Sequence, residues 1–127
     1  MDPVRVLVVD DEEELTSAIV ERLNLRGFAA SGVVTGAEAL AWLEENTCDV
    51  VLLDVKMPGL GGLEVIQRIK DSHPGLEVIL LTGHGSAQDA QQGISLGAFD
   101  YLMKPVKIDT LTQLLVSAAD RSEEESR

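Results

Sequence analysis

Three short apolar runs dominate the pattern of hydrophobic and polar positions along the chain, at residues 6–9, 50–53 and 78–81. Each run is about as long as a strand, is rich in β-branched residues and does not alternate with polar positions. This pattern is typical of strands that are covered on both faces, and therefore of a parallel sheet between two layers of helices. Two weaker strands are predicted over residues 29–33 and 100–103.

Helices are predicted in the segments that follow the strands. Thr35 and Glu38 have capping-box spacing, which predicts a second helix running to about Asn46. A short, polar fourth helix is predicted over about residues 87–96. The other three helices contain apolar residues at three- and four-residue spacing: Leu15, Ala18, Ile19 and Leu23; Leu63, Ile66 and Ile69; and Leu111, Leu114, Leu115 and Ala118. Five β-then-α units predict an α/β fold, a doubly wound (βα)5 three-layer sandwich with a flavodoxin-like parallel sheet in strand order 2-1-3-4-5.

The composition narrows the classes of partner. The 127 residues predict one domain, and a formal charge of −12 with only 3% aromatic residues predicts a surface that repels phosphate backbones and anionic lipid. We therefore expect no nucleic acid binding by this domain alone and no membrane binding. One cysteine, Cys48, fits a reducing compartment and a cytoplasmic location. The polar residues after Ala119 predict a domain over 3–119, followed by a polar tail or the start of a linker over 120–127.

Polar residues follow the predicted strands at the edge of the sheet where ligands bind in open α/β folds. Asp10 and Asp11 follow the first run, Asp54 follows the third strand, Thr82 ends the fourth, and Lys104 follows the fifth. Three carboxylates in one crevice repel one another, by about 4 kcal/mol for two unit charges 4 Å apart at an effective dielectric near 20. A hard divalent cation such as Mg²⁺ would offset this repulsion, and a carboxylate can also attack phosphorus to give an aspartyl-phosphate.

Each of these residues also has a plain structural interpretation. The acids from Asp10 to Glu14 suit a helix N-cap with an acidic first turn, and Asp54 suits a turn. Thr82 could bond to its own backbone, and Lys104 could be a solvated lysine. The functional interpretation is favoured because all the sites come directly after strands, with charges of opposite sign, in the order that a doubly wound sheet needs.

The chain resembles the receiver domain of bacterial two-component response regulators from Val4 to about Ala119. The matching motifs lie at residues 8–12, 52–59, 81–83 and 97–105. The resemblance implies a phosphorylation-controlled signalling switch in a phosphorelay, with a surface formed by the fourth helix, fifth strand and fifth helix that changes on phosphorylation. It also implies a connection to transcription regulation.

The resemblance implies that Asp54 accepts a phosphoryl group from the phosphohistidine of a sensor histidine kinase or a phosphotransfer protein. It implies that Asp11 and Asp54 bind Mg²⁺ directly, with Mn²⁺ as an alternative ion. Asp10 then supports the ion mainly through water, and the backbone carbonyl of Lys56 is a further ligand.

The remaining motif residues are given roles by the same resemblance. Lys104 contacts the phosphoryl group, Thr82 moves to hydrogen-bond it, and Tyr101 swings into the space that is vacated. A half-buried aromatic at the sheet edge is the plain alternative for Tyr101. The bond before Pro105 is often cis in the family. A homodimer through the surface of the fourth helix, fifth strand and fifth helix is expected as one form of output.

Lys56 and His84 stand at positions that vary within the family. Each lies two residues after a site residue, which suggests that it tunes water access to the phosphoryl group. A solvated surface position is an equally good interpretation of both. The run Thr82-Gly83-His84-Gly85, together with Gly97-Ala98, is similar to receivers of the nitrogen-regulation type of enhancer-binding activators.

Other protein classes that share this fold fit the sequence less well. A flavodoxin-like electron carrier needs a Ser/Thr/Gly-rich loop after the first strand, where this chain has acids at 10–14. A dinucleotide enzyme needs a glycine motif there, and no glycine precedes Gly27. A phosphatase with an aspartate nucleophile has a second aspartate two residues later, where this chain has Lys56. A pseudo-receiver would not need the complete set of acids. We therefore expect a phosphoacceptor that phosphorylates itself and slowly loses the phosphoryl group, and not a dedicated enzyme. It is either a stand-alone receiver or one domain of a longer regulator or hybrid kinase.

Overall fold

The structure is a computed structural model and describes residues 2–83 and 87–125. Within these residues, five strands alternate with five helices along the chain. The elements are β1 Arg5–Val9, α1 Glu13–Leu25, β2 Ala29–Val33, α2 Gly36–Glu45, β3 Val50–Asp54, α3 Gly62–Ser72, β4 Glu77–Thr82, α4 Ala87–Ser95, β5 Asp100–Met103 and α5 Ile108–Glu125.

The five strands form one parallel sheet in the order β2-β1-β3-β4-β5. Helices α1 and α5 cover one face, while α2, α3 and α4 cover the other. The predicted doubly wound sandwich and its strand order are therefore confirmed. Since all strands run the same way, their carboxyl ends meet at one edge of the sheet, and the order in which strands are added reverses between β1 and β3.

The central strands are buried on both faces, which explains their uninterrupted apolar sequence. In β3 all five residues are buried, and in β4 all six are buried. Alternate residues point to opposite layers, so Leu53 and Leu80 pack toward α2 and α3, whereas Leu52 and Leu81 pack toward α1 and α5. A strand that buries both faces in this way carries polar residues only at its two ends.

The start of α2 shows the predicted capping box. Thr35 is the N-cap residue, and its hydroxyl oxygen accepts a hydrogen bond of 3.0 Å from the backbone N–H of Glu38. The Glu38 carboxylate in turn accepts a hydrogen bond of 3.2 Å from the backbone N–H of Val34. The first interaction satisfies a backbone donor that the first turn of a helix leaves unpaired, and the second ties the residue before the N-cap to the helix.

Helix α4 has a small contact with the sheet. Its buried residues in the described part of the chain are Ala90 and Gly93, both small. A Cβ atom at position 93 would lie 1.9 Å from Cδ1 of Leu80, so the missing side chain lets the helix approach β4 closely. The helix therefore depends on backbone proximity rather than on large apolar side chains, as its polar sequence predicts.

Helix α5 continues past the predicted domain boundary at Ala119 and ends at Glu125. Ser122 is buried and its hydroxyl donates a hydrogen bond of 2.9 Å to the carbonyl of Gly75. The guanidinium of Arg121 lies 5.8 Å from the centre of the Phe99 ring. These contacts of Arg121 and Ser122 join the start of the polar segment to the rest of the domain, and the assignment of 120–127 as a tail or the start of a linker stays a prediction. No helix among the described residues has the length and apolar composition needed to cross a membrane.

Candidate functional site

The register of the sheet brings the predicted site residues to one edge. Asp54 is the last residue of β3 and is paired with Leu81 of β4. Thr82 ends β4 beside Met103 of β5, and Lys104 follows directly. The end of β1 lies next to β3, so the acids that follow Val9 project into the same crevice as Asp54.

Three carboxylates meet in this crevice. One oxygen from each of Asp10, Asp11 and Asp54 lies within 4.8 Å of the others. Asp10 is fully buried, Asp54 is 5% exposed, and Asp11 is exposed at the rim. Oδ2 of Asp10 is buried, and the Lys104 ammonium lies 2.8 Å from it. Three carboxylates supply the hard oxygen donors that a divalent cation such as Mg²⁺ prefers.

The start of α1 fixes the position of Asp10. Oδ1 of Asp10 accepts a hydrogen bond of 2.9 Å from the backbone N–H of Glu12, and its own carbonyl accepts one of 2.7 Å from the Thr16 hydroxyl. Glu12 is the N-cap residue, and Glu13 and Glu14 form an acidic first turn. The structural interpretation of the acidic run is therefore correct for Glu13 and Glu14, while Asp10 points into the crevice.

One ammonium is shared among the acids of the site. Nζ of Lys104 lies 2.8 Å from Oδ2 of Asp10, 3.0 Å from Oε1 of Glu12 and 3.6 Å from Oδ1 of Asp54. Burial favours the neutral amine, but the hydrogen bonds with Asp10 and Glu12 and the charge of Asp54 outweigh it and raise the pKa of Lys104 above its usual range. Lys104 is therefore a fixed cation and not a solvated surface lysine.

The environment of Asp54 opposes its ionisation. Burial, and then the negative charge of Asp10, raise the pKa of Asp54 from its ordinary 3.8 to about 7, even though Lys104 lowers it. A single ammonium is thus too little positive charge for the carboxylates around it. Near neutral pH, the metal-free site keeps a fraction of Asp54 protonated.

Thr82 and Tyr101 lie on adjacent strands beside the acids. Thr82 is 2% exposed, and its hydroxyl donates a long hydrogen bond of 3.5 Å to the carbonyl of Leu102 in β5, not to its own backbone. Tyr101 is 42% exposed at the sheet edge. The backbone N–H of Lys104 donates to the Thr82 carbonyl at 2.8 Å, and the peptide bond between Lys104 and Pro105 is cis.

Of the two residues predicted to tune water access, the described part of the chain includes Lys56 but not His84. The side chain of Lys56 is 74% exposed, and its ammonium lies 4.0 Å from the Asp89 carboxylate at the start of α4. It therefore connects the loop after β3 to α4, and its tuning role stays a prediction, as does the role of its backbone carbonyl as a ligand. His84 lies outside the described residues.

The family can now be assigned by comparison with known proteins. A family model described as "Response regulator receiver domain" matches residues 6–116. The chain belongs to this family. Two similar curated proteins are the C4-dicarboxylate transport transcriptional regulatory protein DctD of Rhizobium meliloti and the DNA-binding transcriptional regulator NtrC of Escherichia coli. They are 38% and 37% identical over 122 residues, which is 96% of this chain and 26% of each relative. This receiver domain thus spans about a quarter of the length of these relatives.

Solved structures agree with the assignment. A response regulator receiver domain protein from Clostridium thermocellum has a TM-score of 0.89 and 35% identity, covering 94% of this chain and 97% of that one. NtrX from Brucella abortus has a TM-score of 0.91 and 31% identity, covering 98% of this receiver domain and 28% of the NtrX chain. The relatives named NtrC and NtrX fit the expected similarity to the nitrogen-regulation type.

Two features of the site in this receiver domain were missed by sequence reasoning. The contact between Glu12 and Lys104 was not expected, although Glu12 belongs to the acidic run after β1. The role of Gly62 was also missed. A Cβ atom at Gly62 would lie 2.4 Å from the carbonyl oxygen of Asp54, so a side chain there would push α3 away from the end of β3. The glycine-rich run at 59–62 was the signal for this close approach.

Proposed function

We propose that Asp54 is the phosphoacceptor of this receiver domain and that its phosphorylation switches the surface formed by α4, β5 and α5. Receiver domains of response regulators act in phosphorylation-activated signalling, and this chain belongs to that family. The observation that carries the assignment to Asp54 is its position: a buried carboxylate at the end of a central strand, 3.6 Å from Lys104 and beside two further acids.

In the transfer step, a carboxylate oxygen of Asp54 forms a bond to phosphorus while the phosphorus–nitrogen bond of the phosphohistidine donor breaks. The donor histidine keeps the electron pair and takes up a proton. The attacking oxygen must be ionised, and the Lys104 ammonium favours that state. Lys104 is also the residue placed to neutralise charge on the transferred group.

Asp11, Asp54 and the backbone carbonyl of Lys56 would hold the Mg²⁺ ion, with Asp10 supporting it. When bound, Mg²⁺ (or Mn²⁺) supplies positive charge that offsets the charge of the carboxylates and of the phosphoryl oxygens. Position 56 carries an exposed lysine, whereas phosphatases with an aspartate nucleophile have there a second aspartate that acts as general acid and base. We therefore expect slow loss of the phosphoryl group rather than dedicated enzymatic turnover.

The response would begin at Thr82, whose long hydrogen bond to Leu102 is easily exchanged for a shorter one to the phosphoryl group. Inward movement of this hydroxyl leaves room for Tyr101 to turn inward. The surface of α4, β5 and α5 exposes Ile94, Tyr101 and Met103, which suits a second copy of the chain or another protein partner. Backbone chemical shifts recorded with and without a phosphoryl mimic test whether the change reaches α4.

The partners follow from the family and the relatives. The phosphodonor would be a sensor histidine kinase or a phosphotransfer protein. The curated relatives are transcriptional regulators of about four times this length, so we assign DNA binding to other parts of such proteins and not to this acidic domain. A cytoplasmic location agrees with relatives that regulate transcription.

Incubation of the protein with acetyl phosphate and Mg²⁺ tests the proposal directly. We expect intact-mass spectrometry to show one added phosphoryl group per chain, which hydroxylamine or alkali removes, as for an acyl phosphate. Peptide mapping should place it in the segment that contains Asp54. A stable adduct, or one elsewhere in the chain, would contradict the assignment.

Asp11→Ala should remove most of the response of the protein to Mg²⁺. At ten times the dissociation constant, a bound ion stabilises the folded state by about 1.4 kcal/mol, and thermal unfolding measured against Mg²⁺ concentration reports this. Asp11 is exposed, so its loss should not disturb the core. Glu13→Ala, which removes a neighbouring exposed acid outside the crevice, is the matched control. If both variants respond to Mg²⁺ like the wild type, Asp11 is only a helix-start acid.

A further inference from the structure

The Lys104 ammonium lies nearer to two other acids than to the proposed phosphoacceptor. Its distances are 2.8 Å to Asp10 and 3.0 Å to Glu12, against 3.6 Å to Asp54. Asp10 and Asp54 are buried, whereas the Glu12 side chain is 64% exposed. The three contacts of this lysine therefore differ in how easily each can be given up.

The Glu12 backbone is fixed, but its side chain is not enclosed by packing. Its N–H donates to Asp10 at 2.9 Å, and its carbonyl accepts from the N–H of Thr16 at 3.0 Å in the first turn of α1. The carboxylate nevertheless reaches Lys104, which is 92 residues away in sequence. An exposed side chain in this conformation is selected by its interaction with the ammonium, since no surrounding core holds it there.

We infer that Glu12 is a positioning residue, which holds Lys104 away from Asp54 in the unphosphorylated domain and releases it when Asp54 carries a phosphoryl group. This inference rests on the proposed function of Asp54. It adds a residue to the reaction that acts through Lys104 and does not itself touch the reacting atoms.

The limited number of donors on the Lys104 ammonium, together with the burial of the other two acids, explains why Glu12 is the residue that loses its contact. A lysine ammonium has three donors, and the three acids already compete for them. A phosphoryl group brings roughly 1.5 to 2 further negative charges at neutral pH. Loss of the contact with Asp10 would cost much free energy, because an unpaired carboxylate would remain buried. The exposed Glu12 carboxylate can be hydrated by bulk water instead, so losing its contact costs the least free energy.

Glu12→Gln should therefore speed phosphorylation of the chain by acetyl phosphate in the presence of Mg²⁺. We expect the rate constant to rise about twofold to fivefold, the range that an exposed ion pair accounts for. Glu13→Gln is the matched control, because it makes the same change in net charge one residue away without a contact to Lys104. Its rate should rise by less than about 1.5-fold, through weaker and partly screened repulsion. Equal rates in the two variants, or a slower Glu12→Gln, would overturn the inference.

A second measurement does not depend on phosphorylation. The ¹H–¹⁵N signal of the Lys104 ammonium should shift in unphosphorylated Glu12→Gln and stay in place in Glu13→Gln; an unmoved signal in both would overturn the inference. If acetyl phosphate labels a residue other than Asp54, the proposed function is wrong. The Lys104 signal then still tests whether Glu12 contacts the ammonium. If Asp54 is labelled but the two variants coincide in rate and signal, the inference alone fails.

Discussion

Asp54→Asn should abolish phosphoryl uptake, with labelling by acetyl phosphate and Mg²⁺ at least about 100-fold below wild type. The amide of asparagine is not a nucleophile toward phosphorus, and the side chain keeps the shape of the carboxyl group. The site should remain folded, because burial and the charge of Asp10 already disfavour a carboxylate at this position. The loss would then report on chemistry and not on unfolding, and circular dichroism of the same sample checks this.

Asp49→Asn is the matched control for that experiment. Asp49 precedes β3 at the opposite end of the strand that Asp54 terminates, and it is paired with Arg5 at 3.2 Å. Labelling of this variant should equal that of the wild type, since the residue is remote from Lys104 and from the acids of the crevice. Normal labelling of Asp54→Asn would show that another residue accepts the phosphoryl group, and loss of labelling in both variants would point to a general effect of charge or folding.

The fold was predictable because its determinants are local in sequence. Runs such as 50–53 can be uninterrupted and apolar only where both faces of a strand are covered, and parallel strands then require helical crossovers. The convergence of the acids follows from the same topology, since Asp10 and Asp11 directly follow β1 and Asp54 ends β3. Asp10 and Asp54 could thus be placed in one crevice without knowledge of any side-chain conformation.

The features that were not predicted depend on the conformations of long side chains and on tertiary contacts. The pairing of Glu12 with Lys104 depends on the conformations of two long side chains that are 92 residues apart. The polar residues at the end of α5 did not indicate a tertiary contact, yet the Ser122 hydroxyl donates a hydrogen bond to a carbonyl in the loop before β4. The raised pKa of Asp54 reflects how completely the surrounding elements exclude water, which no short stretch of sequence specifies.

The raised pKa of Asp54 makes the stability of the metal-free protein depend on pH. The folded-state pKa, about 7, is above the ordinary value of 3.8, so the protonated form favours folding. This stabilising contribution is complete below about pH 4, decreases as the unfolded chain loses its proton, and is lost as the pH rises through about 7. At pH 8 with a chelator present, the folded protein holds a buried carboxylate next to Asp10 with Lys104 as its nearby cation.

Asp54→Asn should therefore stabilise the metal-free protein more at pH 8 than at pH 5, by a difference of about 2 kcal/mol in the free energy of unfolding. Asparagine keeps the neutral state at every pH, so it removes the part of the pH dependence that Asp54 contributes. Urea unfolding of both proteins in a chelating buffer at the two pH values measures the difference. Excess Mg²⁺ should reduce the advantage of the variant at pH 8, because the ion offsets the charge of the Asp54 carboxylate in the wild type alone. An advantage that is the same at both pH values would mean that Asp54 ionises as readily in the folded protein as in the unfolded chain.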